Sequence, residues 1–356
     1  MRCLALANAL AKHGAQTTFL AAQITDALAA RVMEAGHQLE ILRSSRTKAY
    51  SPEAAPLFHA SWLKSGWKQD AQTTIAVIEH MRPEWIVVDH YALDWRWHQM
   101  LRQHLKDSEC GILAIDDLGD RDFDCDVLLD PNFRKDGHDL FHERVPAHCK
   151  RFKGAQMALL DTAYAQAHSQ TIPRKTLRHI LIYFGVASVS TFNPILEAMQ
   201  SVPDVTAQLV TEKDTVFDPR LISHPSVQAG QVALHGPMPS LLPAMQNADL
   251  AIGPIGSSTW ERMCLGLPTI GVTLAQNQEA IARDLHEAGL IYLLGRSEDL
   301  SADDYVAALT LMARQRCLAD LSRRCLNICD GLGAERLAAY LVGHQPVVRY
   351  SAKRSL

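Results

Sequence analysis

The sequence carries one run in which an apolar strand, a glycine turn and the start of a helix follow each other: Asp249-Leu250-Ala251-Ile252-Gly253-Pro254-Ile255-Gly256-Ser257-Ser258-Thr259-Trp260-Glu261-Arg262. Glycine lets the backbone approach another group closely, and serine or threonine can cap a new helix. Free N–H groups and the helix dipole at such a start attract phosphate. The run therefore predicts a strand-turn-helix unit of a parallel α/β sheet, with a phosphate cradle in its turn.

Polar residues near this turn are candidates for ligand binding. Glu261 lies about one turn into the helix, and a carboxylate accepts hydrogen bonds on both oxygens, as two ribose hydroxyls would require. The helix dipole alone also favours an acid at this position. Asn277 and Gln278 follow the next predicted strand, where they are suited either to hold the amides or hydroxyls of a sugar or to cap the next helix. The residue pattern leaves these alternatives open.

The same alternation of strands and helices extends in both directions. We predict an opening helix within residues 1–14 and strands at 16–21, 38–42, 85–88, 111–115, 127–129, 179–184, 206–210, 232–236, 249–252 and after 268. Further helices are predicted at 24–35, 94–106, 193–200, 238–247, within 303–329 and at 334–342. The pattern loosens over 138–178, and we place the connection between two domains in the second half of that stretch. The fold class is therefore α/β, with two α/β domains.

Two strand ends in the first half of the chain carry polar groups, and such ends face the usual ligand crevice. Asp89, His90 and Tyr91 supply a carboxylate, an imidazole and a phenol, which suit acid–base chemistry. Asp116 and Asp117 could suggest a metal site. Because no third ligand lies in register, a capping or turn role is favoured for these two aspartates and no metal is expected.

Composition restricts the class of protein. The 356 residues are 47% hydrophobic and 21% charged, which is typical of a folded protein with ample core. The formal net charge of −4 lacks the basic excess of a nucleic-acid-binding surface, so no nucleic acid partner is expected. The eight cysteines form no C-x-x-C pair, which disfavours zinc and favours a reduced cytosol. Without a secretion signal or a run of about 18 apolar residues, we predict a cytoplasmic protein that does not enter a membrane.

The start of the chain is unusual for a doubly wound domain, which normally begins with a strand and a glycine-rich turn ahead of its first helix. Here the helix comes first. Either the fold starts unusually or Met1 is an internal methionine of a longer product, and we favour the second interpretation.

Several segments match one known family, and the block from Gly256 to Arg262 with its Gly-Leu-Pro and Asn-Gln sequel is the most specific. The segments are Met1–Ala7, Val88–Tyr91, Ile115–Leu118, Leu129–Asn132, Gly256–Arg262, Gly266–Pro268, Asn277–Gln278 and Asp330–Arg336. On these segments, along most of its length, the chain resembles the UDP-sugar hydrolases of pseudaminic acid biosynthesis, which are relatives of two-domain GT-B glycosyltransferases.

The resemblance implies two Rossmann-like domains that face each other across a cleft, as in the GT-B fold. Residues 1–160 would form the domain on the sugar side, 175–330 the UDP-binding domain, and 331–356 a C-terminal helix and tail. The family splits UDP-2,4-diacetamido-2,4,6-trideoxy-β-L-altropyranose with water into UDP and the free sugar, without a cofactor. Each binding role follows from a matching motif: Glu261 for the uridine ribose, Gly256, Ser257, Ser258 and Thr259 for the diphosphate, and Asn277 and Gln278 for the sugar or phosphates.

The chain departs from the family pattern in two places. The expected general base is a histidine in a Gly-His turn that would lie before Met1, so Asp89, His90 and Tyr91 are assigned supporting roles only. Val186 stands where the family has a second glycine, which puts the first phosphate turn of the second domain in doubt. A GT-B glycosyltransferase and a catalytically impaired UDP-sugar-binding protein are therefore kept as alternatives to the hydrolase.

Overall fold

A computed structural model describes residues 1–42, 57–63, 65–105, 109–211 and 215–344. The described residues form two compact units. Unit 1 holds the described parts of 1–131, 138–159 and 333–356, and unit 2 holds those of 132–137 and 160–332. All strand pairs in both units are parallel, which confirms the predicted α/β class.

Unit 1 contains two parallel sheets. Its strands are β1 (Thr18–Ala21), β2 (Gln38–Ile41), β3 (Trp85–Val88), β4 (Gly111–Ile115), β5 (Val127–Asp130) and β6 (Lys150–Lys153). Its helices are α1 (Arg2–Lys12), α2 (Asp26–Glu34), α3 (Gly66–Ile78), α4 (Trp95–His104) and, from the end of the chain, α14 (Gly333–Gly343). β1 pairs with β2, and β3 to β6 form a four-stranded sheet in chain order.

The central strands β4 and β5 of the four-stranded sheet are buried on both faces. Alternate residues of each strand point to opposite faces, so each strand contributes to two core layers. On one face Ile112 and Leu128 pack with residues of α3 and α4. On the other face Leu113 and Leu129 pack with α1 and α14, as Leu6 and Leu337 illustrate. The first and last helices of the described residues, α1 and α14, thus share one layer of the unit 1 core.

Unit 2 is built on a six-stranded parallel sheet. Its strands are β7 (His179–Tyr183), β8 (Thr206–Val210), β9 (Val232–His235), β10 (Leu250–Pro254), β11 (Thr269–Thr273) and β12 (Tyr292–Arg296). Its helices are α5 (Thr162–Gln170), α6 (Val189–Met199), α7 (Pro219–Ile222), α8 (Pro225–Gln228), α9 (Leu242–Asn247), α10 (Ser258–Cys264), α11 (Glu279–Glu287), α12 (Ala302–Met312) and α13 (Gln315–Ile328).

The strand order of this sheet decides where a ligand can bind. The order is β12-β11-β10-β7-β8-β9, so the chain runs outward from β7 to one edge, returns to β10 and runs outward to the other edge. This is the doubly wound Rossmann order, whose ligand crevice lies outside the carboxyl ends of the two central strands. In unit 2 those strands are β7 and β10. The turn that follows Pro254 is therefore at the expected binding edge.

Two sequence predictions need correction. The pattern loosens over 138–178, but this stretch contains the regular elements β6 and α5. The charged sequence of β6, Lys-Arg-Phe-Lys, hides an edge strand, and Lys is typical of such edges. The helix predicted over 238–247 begins only at Leu242, because prolines stand at 239 and 243 and proline is tolerated only in the first turn. The helices predicted within 303–329 are confirmed as α12 and α13.

None of the helices in the described parts of the chain combines the length and the apolar character needed to cross a bilayer.

Gly253 lies where two neighbouring strands approach closely. A Cβ atom at this position would stand 2.3 Å from the carbonyl oxygen of Tyr183 on β7 and 3.2 Å from Nη1 of Arg262. Gly256 lies three residues further along the chain, in the turn that follows β10, and no heavy atom lies within 4 Å of a Cβ built there. The two glycines therefore offer a matched pair for testing the packing of the turn.

We predict that Gly253→Ala lowers the free energy of unfolding by about 1–3 kcal/mol, which is the usual cost of overpacking. Gly256→Ala should change it by less than about 0.5 kcal/mol, as is usual for surface substitutions. Urea unfolding followed by circular dichroism measures both. Equal stability of the two variants would contradict the close approach of β10 and β7.

Candidate functional site

A buried arginine fixes the turn after β10 from the inside. Arg262 Nη2 donates to the carbonyl oxygen of Pro254 at 2.7 Å and to Thr259 Oγ1 at 3.0 Å. Its Nε donates to the carbonyl oxygen of Ser258 at 3.3 Å, and Thr259 Oγ1 also accepts from the N–H of Gly256 at 3.1 Å. Burial lowers the pKa of Arg262 to about 10, so the guanidinium is still charged at neutral pH. One cation thus determines the path of the turn.

The four residues predicted to receive a diphosphate differ in exposure. Gly256 and Ser257 are exposed, Ser258 is half-buried, and Thr259 is buried with its hydroxyl turned toward Arg262. The side chain of Thr259 therefore supports the turn. The groups that an incoming anion meets are the backbone and hydroxyls of Ser257 and Ser258.

Glu261 projects from α10 next to a tyrosine of α5. Tyr164 lies close enough to the Glu261 carboxylate for the two groups to shift each other's pKa, and Ser240 acts on Tyr164 in turn. Burial raises the pKa of Glu261, and Tyr164 opposes that shift. A carboxylate can accept hydrogen bonds on both of its oxygens. Glu261 is thus a half-buried acceptor for hydroxyl donors.

Asn277 and Gln278 lie beyond β11, the neighbour of β10 in the sheet. Asn277 is exposed. Gln278 occupies the N-cap position of α11 without a capping bond from its side chain, and its Oε1 instead accepts from the N–H of Leu274 at 2.8 Å. The structure therefore places both residues at the edge that carries Gly256 and Glu261, with Gln278 closing the turn and Asn277 facing solvent.

The turn after β7 contains Val186, which stands where a glycine was expected and could therefore have strained the backbone. The positive φ of this turn, +63°, belongs to Gly185, and Arg82 is the one non-glycine residue with positive φ among the described residues. Val186 is 85% exposed. Its β-branched side chain thus points to solvent at the binding edge and strains no backbone.

In unit 1, Arg2 joins two of the candidate acids. Its Nη2 and Nε contact the two carboxylate oxygens of Asp89 at 2.6 and 2.9 Å, and its Nη1 contacts Asp117 at 3.3 Å. The thiol of Cys3 also donates to Asp89 at 3.1 Å. Burial acts to raise the pKa of Asp89, but the hydrogen bonds and charge of Arg2 outweigh it and hold that pKa below its ordinary value. Asp89 is therefore a weak base that orients its neighbours.

Tyr91 belongs to the same cluster, and His90 is turned to its own loop. The Tyr91 hydroxyl donates to Asp117 at 2.7 Å. Burial and the negative charge of Asp117 raise the pKa of Tyr91, so it stays a proton donor. His90 Nδ1 accepts from the N–H of Ala92 at 3.1 Å, and burial lowers its pKa, so the ring is neutral at neutral pH. The structure thus brings Asp89 and Tyr91 together through Arg2 and Asp117.

Asp116 has the structural role that the sequence favours. Its Oδ1 accepts from the N–H groups of Leu118 and Gly119, both at 3.0 Å. Its Oδ2 lies 2.6 Å from Arg121, and both side chains are buried. Arg121 also donates to the carbonyl oxygen of Leu93 at 2.8 Å. This ion pair therefore ties the loop after β4 to the loop after β3, where Tyr91 lies.

The described residues contain no group of three or more His, Cys, Asp or Glu side chains that could hold a metal ion.

Sequence reasoning missed the residues that orient the candidates. Arg2 contacts partners 87 and 115 residues further along the chain, and no local pattern reports such a pair. Tyr164 lies in the stretch where the pattern loosens. The motif that contains Arg262 does not indicate that its guanidinium is buried and holds the turn. A charged residue inside an otherwise apolar helix face is the available signal, since burial of such a residue requires partners.

We predict that Arg2→Gln destabilises unit 1 at pH 7 and that this penalty shrinks as the pH falls toward 4. In the wild type the pKa of Asp89 is depressed, so its stabilising contribution is present above the unfolded value of about 3.9 and is lost below it. Without Arg2, burial raises that pKa, and the protonated carboxyl is tolerated at low pH. Urea unfolding at several pH values measures the effect.

Arg323→Gln is the matched control, because Arg323 pairs with Asp320 on the exposed surface of α13. Its effect should be within about 0.5 kcal/mol at every pH, as for most exposed pairs. A penalty for Arg2→Gln that grows as the pH falls would contradict the assigned pairing.

No protein-family model matches the chain, and no curated protein sequence matches it. Solved structures resemble it in fold. The glycotransferase of kitacinnamycin superposes with a TM-score of 0.64 at 17% identity, over 96% of this chain and 95% of its own. MurG from Acinetobacter baumannii gives 0.63 at 12% identity, with the same coverage of both chains.

The UDP-GlcNAc 2-epimerase from Neisseria meningitidis, solved with UDP-GlcNAc bound, gives a TM-score of 0.62 at 14% identity, over 96% of this chain and 95% of its own. At such identities the likeness is one of fold. It shows that the chain has the GT-B-like α/β fold with two Rossmann-like domains, as the sequence predicts.

Proposed function

We propose that unit 2 binds the UDP part of a nucleotide sugar. The observation that carries the proposal is the position of Glu261, which is half-buried beside Tyr164, one turn into the helix that follows the central strand β10. This is the edge at which a doubly wound sheet binds ligands. The Neisseria epimerase of similar fold was solved with a UDP-sugar, which supports the choice of nucleotide.

The parts of UDP would meet chemically matched groups. Glu261 accepts hydrogen bonds from the ribose hydroxyls on its carboxylate oxygens. The diphosphate lies against the exposed turn at Gly256 and Ser257, whose backbone is held by the positive charge of Arg262 behind it. Asn277, exposed at the same edge, donates and accepts through its amide toward the phosphates or the sugar.

The proposed reaction is hydrolysis at the anomeric carbon of UDP-2,4-diacetamido-2,4,6-trideoxy-β-L-altropyranose. Water forms a bond to the anomeric carbon and loses a proton, while the bond to the diphosphate oxygen breaks and its electron pair leaves with UDP. UDP is a good leaving group, so positioning and electrostatic stabilisation can supply much of the rate. In unit 1, Tyr91 and Asp117 offer a hydroxyl donor and a carboxylate for this step, and Asp89 holds Arg2 beside them.

Transfer of the sugar to an acceptor is the alternative reaction, because one of the solved structures with this fold is named as the glycotransferase of kitacinnamycin. The two reactions differ only in whether water or a hydroxyl of another molecule attacks. We therefore propose that the chain is an enzyme that acts on a UDP-sugar and, more specifically, that it is a hydrolase.

A cytoplasmic location stays a prediction.

Incubation of the chain with UDP-2,4-diacetamido-2,4,6-trideoxy-β-L-altropyranose, without any acceptor, tests the hydrolase. Equal amounts of UDP and free sugar support it. Release of UDP only after an acceptor sugar is added would overturn hydrolysis in favour of transfer. Tight binding of UDP without turnover under either condition would indicate a binding protein.

We predict that Glu261→Ala weakens UDP binding by about 1–3 kcal/mol, the cost of leaving buried donors unmatched. This corresponds to about a 5- to 150-fold rise in Kd. Isothermal titration calorimetry with UDP measures it, and Glu298→Ala, an exposed acid of the same unit, is the control. Unchanged affinity would remove Glu261 from the ribose role.

We predict that Tyr91→Phe lowers turnover about tenfold, equivalent to about 1.4 kcal/mol on the barrier, and leaves UDP affinity unchanged. The hydroxyl that donates to Asp117 is the only group lost, so the fold should persist. Steady-state release of UDP measures the rate, with Tyr292→Phe on β12 as the control. A wild-type rate would remove Tyr91 from the reacting centre.

A further inference from the structure

Unit 1 carries four aromatic rings that are linked by contacts to one another. Only one of them, Tyr91, has a role in the function proposed above. We define the aromatic platform as Phe58, His59, Trp62 and Tyr91. The His59 ring lies 4.9 Å from Phe58, 4.6 Å from Trp62 and 5.4 Å from Tyr91, measured between centroids. Trp62 and Tyr91 are 5.8 Å apart. The rings therefore form one continuous surface beside the loop that follows β3.

The outer part of the platform faces solvent. Phe58 is 88% exposed and Trp62 is 58% exposed. Single exposed apolar residues are ordinary, but adjoining exposed rings usually mark a binding surface. The inner part is anchored, because Tyr91 is half-buried and lies under the guanidinium of Arg121 at 5.8 Å. A supported base with an exposed face is the arrangement that stacking against a ligand requires.

A polar cluster adjoins the platform at Tyr91. The Tyr91 hydroxyl donates to Asp117, and Arg2 links Asp117 to Asp89. The side chains of these three charged residues are each between 22% and 23% exposed, so their outer atoms reach solvent. The ligand surface thus combines flat apolar rings with carboxylate acceptors and guanidinium donors.

The charge of this cluster selects the ligand chemistry. Two carboxylates, Asp89 and Asp117, surround the guanidinium of Arg2, and the amino group of Met1 also acts on Asp89, so the cluster has no excess of positive charge. A phosphate or another anion is disfavoured there. A neutral ring with an apolar C–H face and several hydroxyl or amide groups fits both parts, because the face stacks on the rings and the polar groups bond to carboxylate and guanidinium.

We propose that the aromatic platform binds a pyranose ring, with Trp62 as the main stacking residue and Asp117 and Arg2 as its hydrogen-bonding partners. The pyranose is either the sugar of the nucleotide sugar or that of a separate saccharide. If the pyranose belongs to the nucleotide sugar, the proposal deepens the proposed function and rests on it. If the pyranose belongs to a separate saccharide, it does not. Phe58, His59 and Trp62 then set the preference for the sugar, independently of the groups that hold UDP.

Saturation-transfer NMR tests the platform, with UDP-N-acetylglucosamine as the first probe and methyl N-acetyl-β-D-glucosaminide in the presence of UDP as the second. In the wild type, we expect saturation of the pyranose protons of at least one probe. Trp62→Ala should lower that saturation at least threefold relative to the ribose H1′ of the same sample. Trp62→Phe should restore most of it, which a general loss of folding would not allow.

Ile172→Ala is the matched control, because Ile172 is an exposed apolar residue of unit 2. A Trp62-dependent signal with the first probe alone assigns the sugar of the nucleotide sugar, and one with the second probe assigns a separate saccharide. Pyranose saturation that is absent in the wild type, or unchanged in Trp62→Ala, overturns the platform. Saturation of the glucosaminide without any signal from the uracil or ribose protons of either probe overturns UDP binding and keeps the platform.

Discussion

The buried guanidinium of Arg262 is the interaction on which the binding edge of unit 2 depends. It draws the carbonyl oxygens of Pro254 and Ser258 toward the protein interior. Carbonyl oxygens that are turned inward leave the opposite side of the turn to N–H groups and hydroxyls, which are the groups an anion needs. Burial of a cation is costly unless its donors are used, so the sequence can keep Arg262 only while the turn keeps its path. The path of the turn and the buried charge of Arg262 therefore depend on each other.

Arginines have the same organising role in unit 1, with carboxylates in place of carbonyls. Arg121 holds Asp116 and the loop after β3, and Arg2 holds Asp89 and Asp117. The result is an edge of opposite character. Unit 2 offers hydroxyls and backbone donors, whereas unit 1 offers acids and aromatic rings. A nucleotide and a sugar differ chemically in the same way, since one is an anion and the other is neutral and has apolar faces.

The sequence predicts the fold better than it predicts the site. β4 begins and ends where its apolar run does, because a strand buried on both faces has no polar position to obscure it. The bounds of β3 and β8 were also predicted, although β8 contains Thr206 and Gln208. β6 is lost among its lysines, and β12 and α3 were not predicted either. Glu261 could be located from its motif, but its neighbour Tyr164 could not, because α5 and α10 come together across 97 residues of chain. Local patterns report which face of an element is buried, and the partners on that face are set by the tertiary fold.

The shared core layer of α1 and α14 has a consequence for synthesis of the chain. Trp85 donates to the carbonyl oxygen of Leu341, and Leu337, Ala338 and Leu341 complete the layer under β4 and β5. Unit 2 has all of its strands before α14 leaves the ribosome, whereas unit 1 must wait for that helix. Domains tend to fold as units during translation, the earlier ones first. Here the order is reversed: unit 1, which holds the N-terminal residues, can complete this core layer only after α14 has been synthesised, when every described strand of unit 2 is already available.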